Sequence, residues 1–489
     1  MTASPKSAIQ KAFHHRGHRG HGEQTEKKLS VNKQGSVIST RASRSAFLCG
    51  LCALCGESFL RGAAVLLGLM FMPGCGGGSS TTTTTSTPTP VANTVSVAVN
   101  AGPANNAVNF AYVSVQVCSP GSTTNCITIP DVQVDTGSTG LRILASAPGV
   151  SSLLPSLTPV TGSGTPVYEC VQEGDGNYLW GQVEQANVSM AGEIAASLPI
   201  QIISAPETGI APPSGCTQGG GNNLDTSTLL QANGILGIST APQDCGGPCA
   251  GTSVANYYWL CTSSGCTNAS VPTATQVSNP VVFFNSDNNG VMLTMNSVGA
   301  SGAASGSGTL TFGIGTQSDN ALSSSVKAYA LSGNSINGQL FYSISATYNG
   351  LTYPALIDSG ETVLFFLDPN TLSGAGISGC PQPNSSLYCT SSPSTVVSLP
   401  FTAKDASGDS GTVTLSMGNG TTLWNSSVLN GGSNTAFSNL AGGYSLGVND
   451  YVNLGLPFFY GRTVYVGIAG QVPPTGVPNA DTALGYWAF

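Results

Sequence analysis

Two short runs, Val134-Asp135-Thr136-Gly137-Ser138 and Ile357-Asp358-Ser359-Gly360-Glu361, each place an aspartate at the end of an apolar segment and a glycine two residues later. Each is followed by a Leu-Gly: 102 residues separate Asp135 from Gly237, and 97 separate Asp358 from Gly455. The repeat implies two related half-domains, each contributing one carboxylate to a shared site. In a chain this rich in Ser, Thr and Gly, a lone triplet carries little weight, and the chain holds its own control. Asp409-Ser410-Gly411 follows Ser407-Gly408 in a polar stretch and reads as a turn, because Asp, Ser and Gly favour turn geometry. The other two follow Val132-Gln133-Val134 and Ala355-Leu356-Ile357, which read as strands delivering the Asp to a sharp glycine turn.

Composition narrows the chemistry. All four histidines (His14, His15, His18, His21) precede a hydrophobic leader segment, so a chain that loses this leader has no histidine. That excludes Ser-His-Asp and Cys-His catalysis, removes the commonest transition-metal ligand, and leaves carboxylates as the acid/base groups. From residue 75 onward the cations are Arg142, Lys327, Lys404 and Arg462, against nineteen acids, a formal charge of −15. Such a surface repels nucleic acid and anionic membranes, so no nucleic-acid partner is expected. A Ser-Lys dyad through Lys327 or Lys404 lacks a motif around either lysine.

Residues 1–75 read as an export signal: a long basic region, the apolar run Ala63 to Met72, then Pro73-Gly74-Cys75. Met72-Pro73-Gly74-Cys75 resembles a bacterial lipobox, with Met and Pro in place of its usual Leu and Ala, and marks Cys75 for lipidation. Residues 76–94, rich in Gly, Ser, Thr and Pro, hold too little apolar surface to fold and form a tether. The expected address is the bacterial cell envelope, as a lipoprotein of the outer membrane or facing the periplasm, or else secretion, with membrane contact only through the N-terminal lipid.

Ten cysteines follow the tether, an even number that in an exported chain argues for disulfides. Nearest neighbours Cys118 with Cys126 and Cys380 with Cys389 are the favoured pairs; the partners of Cys170, Cys216, Cys245, Cys249, Cys261 and Cys266 stay open, a four-thiolate zinc site at the last four being the minority alternative.

Beyond residue 94 short alternating runs recur between Gly, Ser, Asn and Pro: Val95 to Val99, Val113 to Val117, Ile200 to Ile203, Val281 to Phe284, Thr309 to Phe312, Val413 to Leu415 and Val464 to Ile468. The fold class is all-β. Its length calls for two lobes, 95–318 and 319–489, joined in the polar stretch between Gly315 and Lys327. Trp180, Trp259, Trp424 and Trp487 are expected in the core, and Tyr486-Trp487-Ala488-Phe489 as a closing strand of the second lobe.

In order and spacing these features resemble the pepsin-like aspartic proteases. Asp135 to Leu141 is similar to the family's first active-site run, and Asn233-Gly-Ile-Leu-Gly-Ile238 to its Asp-Gly-Ile-Leu-Gly-Leu. Gly308 to Gly313 resembles the strand closing the first lobe, and Asn453 to Phe459 with Val466 to Ile468 the last strands of the second. The resemblance spans roughly residues 95 to 489. It implies a bilobal double-β-barrel with a cleft, a monomer, catalytic Asp135 and Asp358 supported by Thr136, Gly137, Ser138, Ser359 and Gly360, and no cofactor or metal. The implied activity is an envelope-tethered aspartic endopeptidase that hydrolyses an extended polypeptide held between the lobes; the alternative is a non-catalytic binding protein on the same fold.

Three positions depart from the family's pattern. Ser138 is expected to hydrogen-bond the outer oxygen of Asp135, whereas the second half has Glu361, followed by Thr362, at the matching place. Where the family has a Trp seven residues after its first Asp, bonded to a Tyr on a flap over the cleft, this chain has Arg142. The flap is expected within Tyr168 to Gly181, its tip at Glu173-Gly-Asp-Gly176, with an Arg142–Glu173 ion pair replacing the Trp–Tyr contact; Tyr168, Tyr178 and Trp180 are the alternative flap residues, and a solvated surface position the alternative for Arg142.

Overall fold

Strand-forming alternation is strongest where one face meets solvent. Val397–Lys404 and Ser410–Met417 pair as an antiparallel hairpin with alternate residues buried along most of its length; of the polar triplet expected as a turn, Asp409 ends the turn while Ser410 and Gly411 already pair in the second strand, and Asp405 N–H bonds the Asp409 carbonyl as Asp405 Oδ1 accepts the Asp409 amide. Strands buried on both faces lose that alternation, and Cys126–Asp135 ends in four consecutive buried residues, Val132 to Asp135. The computed structural model describes residues 92–489 except 174–175, 204–208, 253–255, 337–338, 406, 444–450, 475–476 and 478–482. The export segment, Cys75 and nearly all of the tether lie outside the described residues.

The chain is all-β and bilobal, with a pepsin-like arrangement of two related halves. A six-stranded antiparallel ribbon joins them: Thr94–Val99, Gly306–Phe312 and Gly290–Met295 from the first half continue into Thr463–Gly467, Tyr486–Ala488 and Ala328–Ala330 from the second. The seam is the pairing of Gly290 to Thr294 with Gly467 to Thr463. The C-terminal aromatic run thus serves as a strand of this shared sheet.

Within each half the Asp-bearing strand lies parallel to the strand carrying the Leu-Gly. Cys126–Asp135 pairs with Gly234–Ile238, with Gly237 opposite Asp135, and Leu351–Ile357 pairs with Val452–Leu454, with Leu454 opposite Ile357. In each case the chain leaving the Asp turn returns antiparallel on the other side, as Thr139–Leu144 and as Leu364–Phe366. The Leu-Gly recurrence has a steric cause. A Cβ on Gly237 would lie 2.7 Å from Thr139 N, and one on Gly455 would lie 2.7 Å from the Glu361 carbonyl oxygen, so both positions must let the returning turn pass close to backbone.

One expected strand is absent. Val281 to Phe284 begins at Pro280 as a 3-10 turn, Pro280–Phe283, because the Asn279 side chain caps the Val281 amide and proline occupies the first position. The expected Cys118–Cys126 and Cys380–Cys389 disulfides form, and the open cysteines pair as Cys170–Cys216, Cys245–Cys249 and Cys261–Cys266, so the four sulfurs considered for zinc are spent in two disulfides.

Asn109 locks the halves together away from the seam. Fully buried at φ 54°, a left-handed conformation that asparagine tolerates better than most residues, it donates through Nδ2 to the carbonyls of Thr362 and Phe437. Its Oδ1 accepts from the Phe437 amide and the Tyr460 hydroxyl. Asn109→Ala strands several buried groups, each worth about 1–3 kcal/mol when unsatisfied, so urea unfolding is expected to show a loss of roughly 3 kcal/mol or more; a change below about 0.5 kcal/mol would contradict this role.

Candidate active site

Strand pairing carries the two triplets to the same point. Thr136 N–H donates to Ser359 Oγ (3.1 Å), and Ser359 N–H donates to Thr136 Oγ1 (2.9 Å). Each hydroxyl in turn donates to the carbonyl just before the opposite Asp, Thr136 Oγ1 to Ile357 O (3.1 Å) and Ser359 Oγ to Val134 O (2.9 Å). Gln133 Nε2 adds a bond to the Gly360 carbonyl (3.0 Å). These bonds press the two turns together until each glycine abuts the opposite carboxylate. A Cβ on Gly137 would fall 2.5 Å from Asp358 Oδ1, and one on Gly360 would lie 2.6 Å from Asp135 Cγ. Asp135 and Asp358 are therefore neighbours across a pseudo-twofold axis, both almost wholly buried.

Their surroundings differ. Asp135 Oδ1 accepts the Gly137 and Ser138 amides (2.8 and 3.2 Å), and Ser138 Oγ donates to Asp135 Oδ2 (2.7 Å), the bond expected for it. Asp358 Oδ1 accepts the Gly360 amide (2.9 Å), and Asn453 Nδ2 reaches Asp358 Oδ2 at 3.4 Å. Glu361 is buried, and its Oε1 accepts the Thr362 and Val363 amides (2.9 and 3.4 Å), so this carboxylate serves its own turn. The Thr362 carbonyl is one anchor of Asn109.

A cavity of about 220 Å³ opens over the turns, bounded by Gly137, Ser138 and Asp358 below, by Thr240 and Tyr257 at the side, and by Tyr342 and Trp487 from the second half. All four tryptophans are buried as expected, and Trp487 also lines this cavity. Above lies the hairpin of Thr165–Gln172 and Tyr178–Met190, which brings Val171, Gln172, Glu173 and Leu179 to the cavity. It occupies the segment expected for the flap; tip residues 174 and 175 lie outside the described residues. Tyr168 and Trp180 stack on each other in a separate cluster beside Cys170 and Cys216, and Tyr168 donates to Gln182 Oε1, which removes both from the cavity roof.

The expected Arg142–Glu173 pair is not formed. Arg142 is buried, with its Nη2 on Glu169 Oε1 (2.6 Å) and Asp244 Oδ2 (3.0 Å) and its Nη1 on the Thr139 carbonyl (2.6 Å). The side chain follows the sheet, across which the flap strand presents Glu169 from its centre, four residues before Glu173. Tyr258 completes the cluster by donating to Asp244 and accepting the Val277 amide. Burial alone would depress the guanidinium, but Glu169 and Asp244 outweigh it and hold Arg142 above its ordinary value. Burial pushes the Asp244 carboxyl well up, the negative Glu169 adds to this, and Arg142 and Tyr258 pull it partway back. One cation thus faces two buried carboxyls, each within ion-pair distance of its Nη2, so that neither carboxyl lacks a partner. Glu169, Asp244, Gln133 and Asn453 went unread as site residues because each acts across 27 to 227 residues of sequence; the unusual Arg142 was the only local signal.

Two halves that each bring an Asp-Thr/Ser-Gly turn from parallel strands to a common cavity, beneath a hairpin, define a protein of the pepsin-like fold class. The chain belongs to the family described as "Protein of unknown function (DUF3443)", whose profile matches residues 89–489. A search of curated proteins returned no match. Among solved structures, the crystal structure of an aspartic proteinase from Irpex lacteus is similar, at 16% identity over 81% of this chain and 96% of that one, with a TM-score of 0.47.

Two buried carboxyls make stability fall as pH rises. Burial raises Glu184 from 4.5 to about 7, and Asp244 shifts the same way. Between the ordinary carboxylate range and the folded values the native state keeps protons that the unfolded chain releases, so this contribution is full below pH ~4 and is lost as pH climbs toward 7. Glu184→Gln is expected to flatten the decline by at most about 2 kcal/mol, after allowance for residual solvation. Denaturant titrations of wild type and variant at both ends of that window measure it; parallel curves would refute the assignment.

Proposed function

We propose that the protein is an aspartic endopeptidase, and the observation that carries this reading is the mutual contact of Gly137 with Asp358 and Gly360 with Asp135. Like charges this close repel, so in this reading one carboxyl works as the base and the other as the acid. A water held between them loses its proton to the ionised member as it attacks a peptide carbonyl. The protonated member hydrogen-bonds that carbonyl oxygen, and the departing amine takes a proton as the tetrahedral intermediate collapses. No covalent enzyme intermediate forms in this scheme. The cavity, open under a hairpin, suits an extended polypeptide, and the absence of histidine beyond His21 leaves carboxylates as the acid/base groups of the exported part.

The buried Glu361, where the first half has Ser138, supports a second reading: a binding protein that holds peptides in the cleft without turnover. Peptide-library cleavage at acidic pH separates the two. The hydrolase reading expects cleavage by wild type, inhibition by a statine-type peptide, and a loss of at least about a hundredfold in Asp135→Asn and Asp358→Asn. Binding of uncut peptides by wild type, with no products, would instead support the second reading.

The working location we propose is the cell envelope, with the domain standing off a membrane on its tether through lipid-modified Cys75. Cys75→Ala is expected to move the protein from the membrane fraction to the soluble fraction of fractionated cells; an unchanged distribution would rule out this anchor.

A further inference from the structure

Among the described residues Arg142 is the cation that lies buried, and it touches three segments with different duties around the cleft. Through Nη1 it holds the Thr139 carbonyl, immediately after Ser138, whose hydroxyl is bonded to Asp135. That turn is gripped from its other side as well, by the Ser138 carbonyl accepting the Ser239 amide and by the Thr139 and Ser239 hydroxyls at 2.5 Å. Through Nη2 it holds Glu169, a mid-strand residue of the hairpin whose own carbonyl accepts Gln201 Nε2, and Asp244, which follows the 239–241 stretch lining the cavity.

We propose that Arg142 is a positioning residue for the carboxylate pair: one guanidinium sets the height of the flap hairpin and the wall at 239–244 against the turn that carries Asp135. A planar fork with fixed donor directions can bind three elements at once in one geometry, which a lysine ammonium on a flexible stem cannot reproduce. Without it, two almost wholly buried carboxyls would lose the cation between them, and they would separate by moving the hairpin strand or the wall, the parts bounding the cavity. Neither movement requires the halves to come apart, since the seam between Gly290–Met295 and Thr463–Gly467 lies elsewhere.

Hydrogen–deuterium exchange on the full chain, with Arg142→Met and Arg142→Lys, tests this whether or not the protein is a hydrolase. Arg142→Met is expected to speed exchange by about tenfold or more in peptides covering 137–142, 169–172 and 178–182 while the shared six-stranded sheet keeps its protection, with Arg142→Lys intermediate. Unchanged exchange in those peptides, or a uniform rise throughout, would overturn the proposal. If Arg142→Met does not fold, Glu169→Gln is expected to give the same local pattern, weaker. A kinetic arm rests on the hydrolase reading: kcat falls about tenfold to a hundredfold with KM within about twofold, because misplacement acts on the reacting geometry more than on binding. A loss that merely tracks the folded fraction counts against positioning. Absence of cleavage by wild type would sink the hydrolase reading and leave the exchange pattern to decide the role of Arg142.

Discussion

The reciprocal bonding of Thr136 and Ser359 is the interaction on which the rest depends. Each hydroxyl accepts the other residue's amide and donates to the carbonyl preceding the opposite Asp, so two side chains satisfy four buried backbone groups. A hydroxyl is the small group that can do both; alanine would leave an amide and a carbonyl unpaired in the interior. Each bond is worth only about 1 kcal/mol net, but breaking any one leaves a partner without water to replace it. The same bonds set the distance between halves at which a glycine, and no larger residue, fits against each carboxylate.

How much of this was legible follows from the range over which each signal acts. The paired Asp turns and the Leu-Gly recurrence are written in runs of five or six residues, and steric demands at Gly237 and Gly455 account for the recurrence; the hairpin over the cleft was expected only from the family resemblance. Of the four short-range disulfides, Cys118–Cys126 and Cys380–Cys389 read by proximity, while Cys245–Cys249 and Cys261–Cys266 stayed open because four clustered sulfurs also suit zinc; Cys170–Cys216 needed the fold, being 46 residues apart. Arg142 stood out as unusual, yet sequence distance pointed to the hairpin tip, while the sheet presents Glu169 from the strand's middle. Val281 to Phe284 had the composition of a strand and became a 3-10 turn because the preceding Asn-Pro decides the backbone there. In these cases the local pattern was sound and a partner from elsewhere chose the outcome.

Duplication explains the symmetry, and divergence is concentrated around the carboxylates. Asp135 is served by a serine hydroxyl, Asp358 by an asparagine amide from a different strand, while Glu361 has turned to its own backbone. The first half also carries the hairpin and the buried ion cluster. The two acids match in position along their halves and differ in their hydrogen-bond neighbours.

The covalent cross-links have a different reach. The five disulfides join residues 4, 5, 8, 9 and 46 apart, and among the described residues each stays within its own half. They can therefore close as soon as local segments meet, without waiting for strands such as Thr94–Val99 and Gly306–Phe312 to find each other across two hundred residues. Oxidation stiffens the walls of the cleft separately, and the relation between the two carboxylates rests on hydrogen bonds and packing, which remain adjustable after every sulfur has been paired.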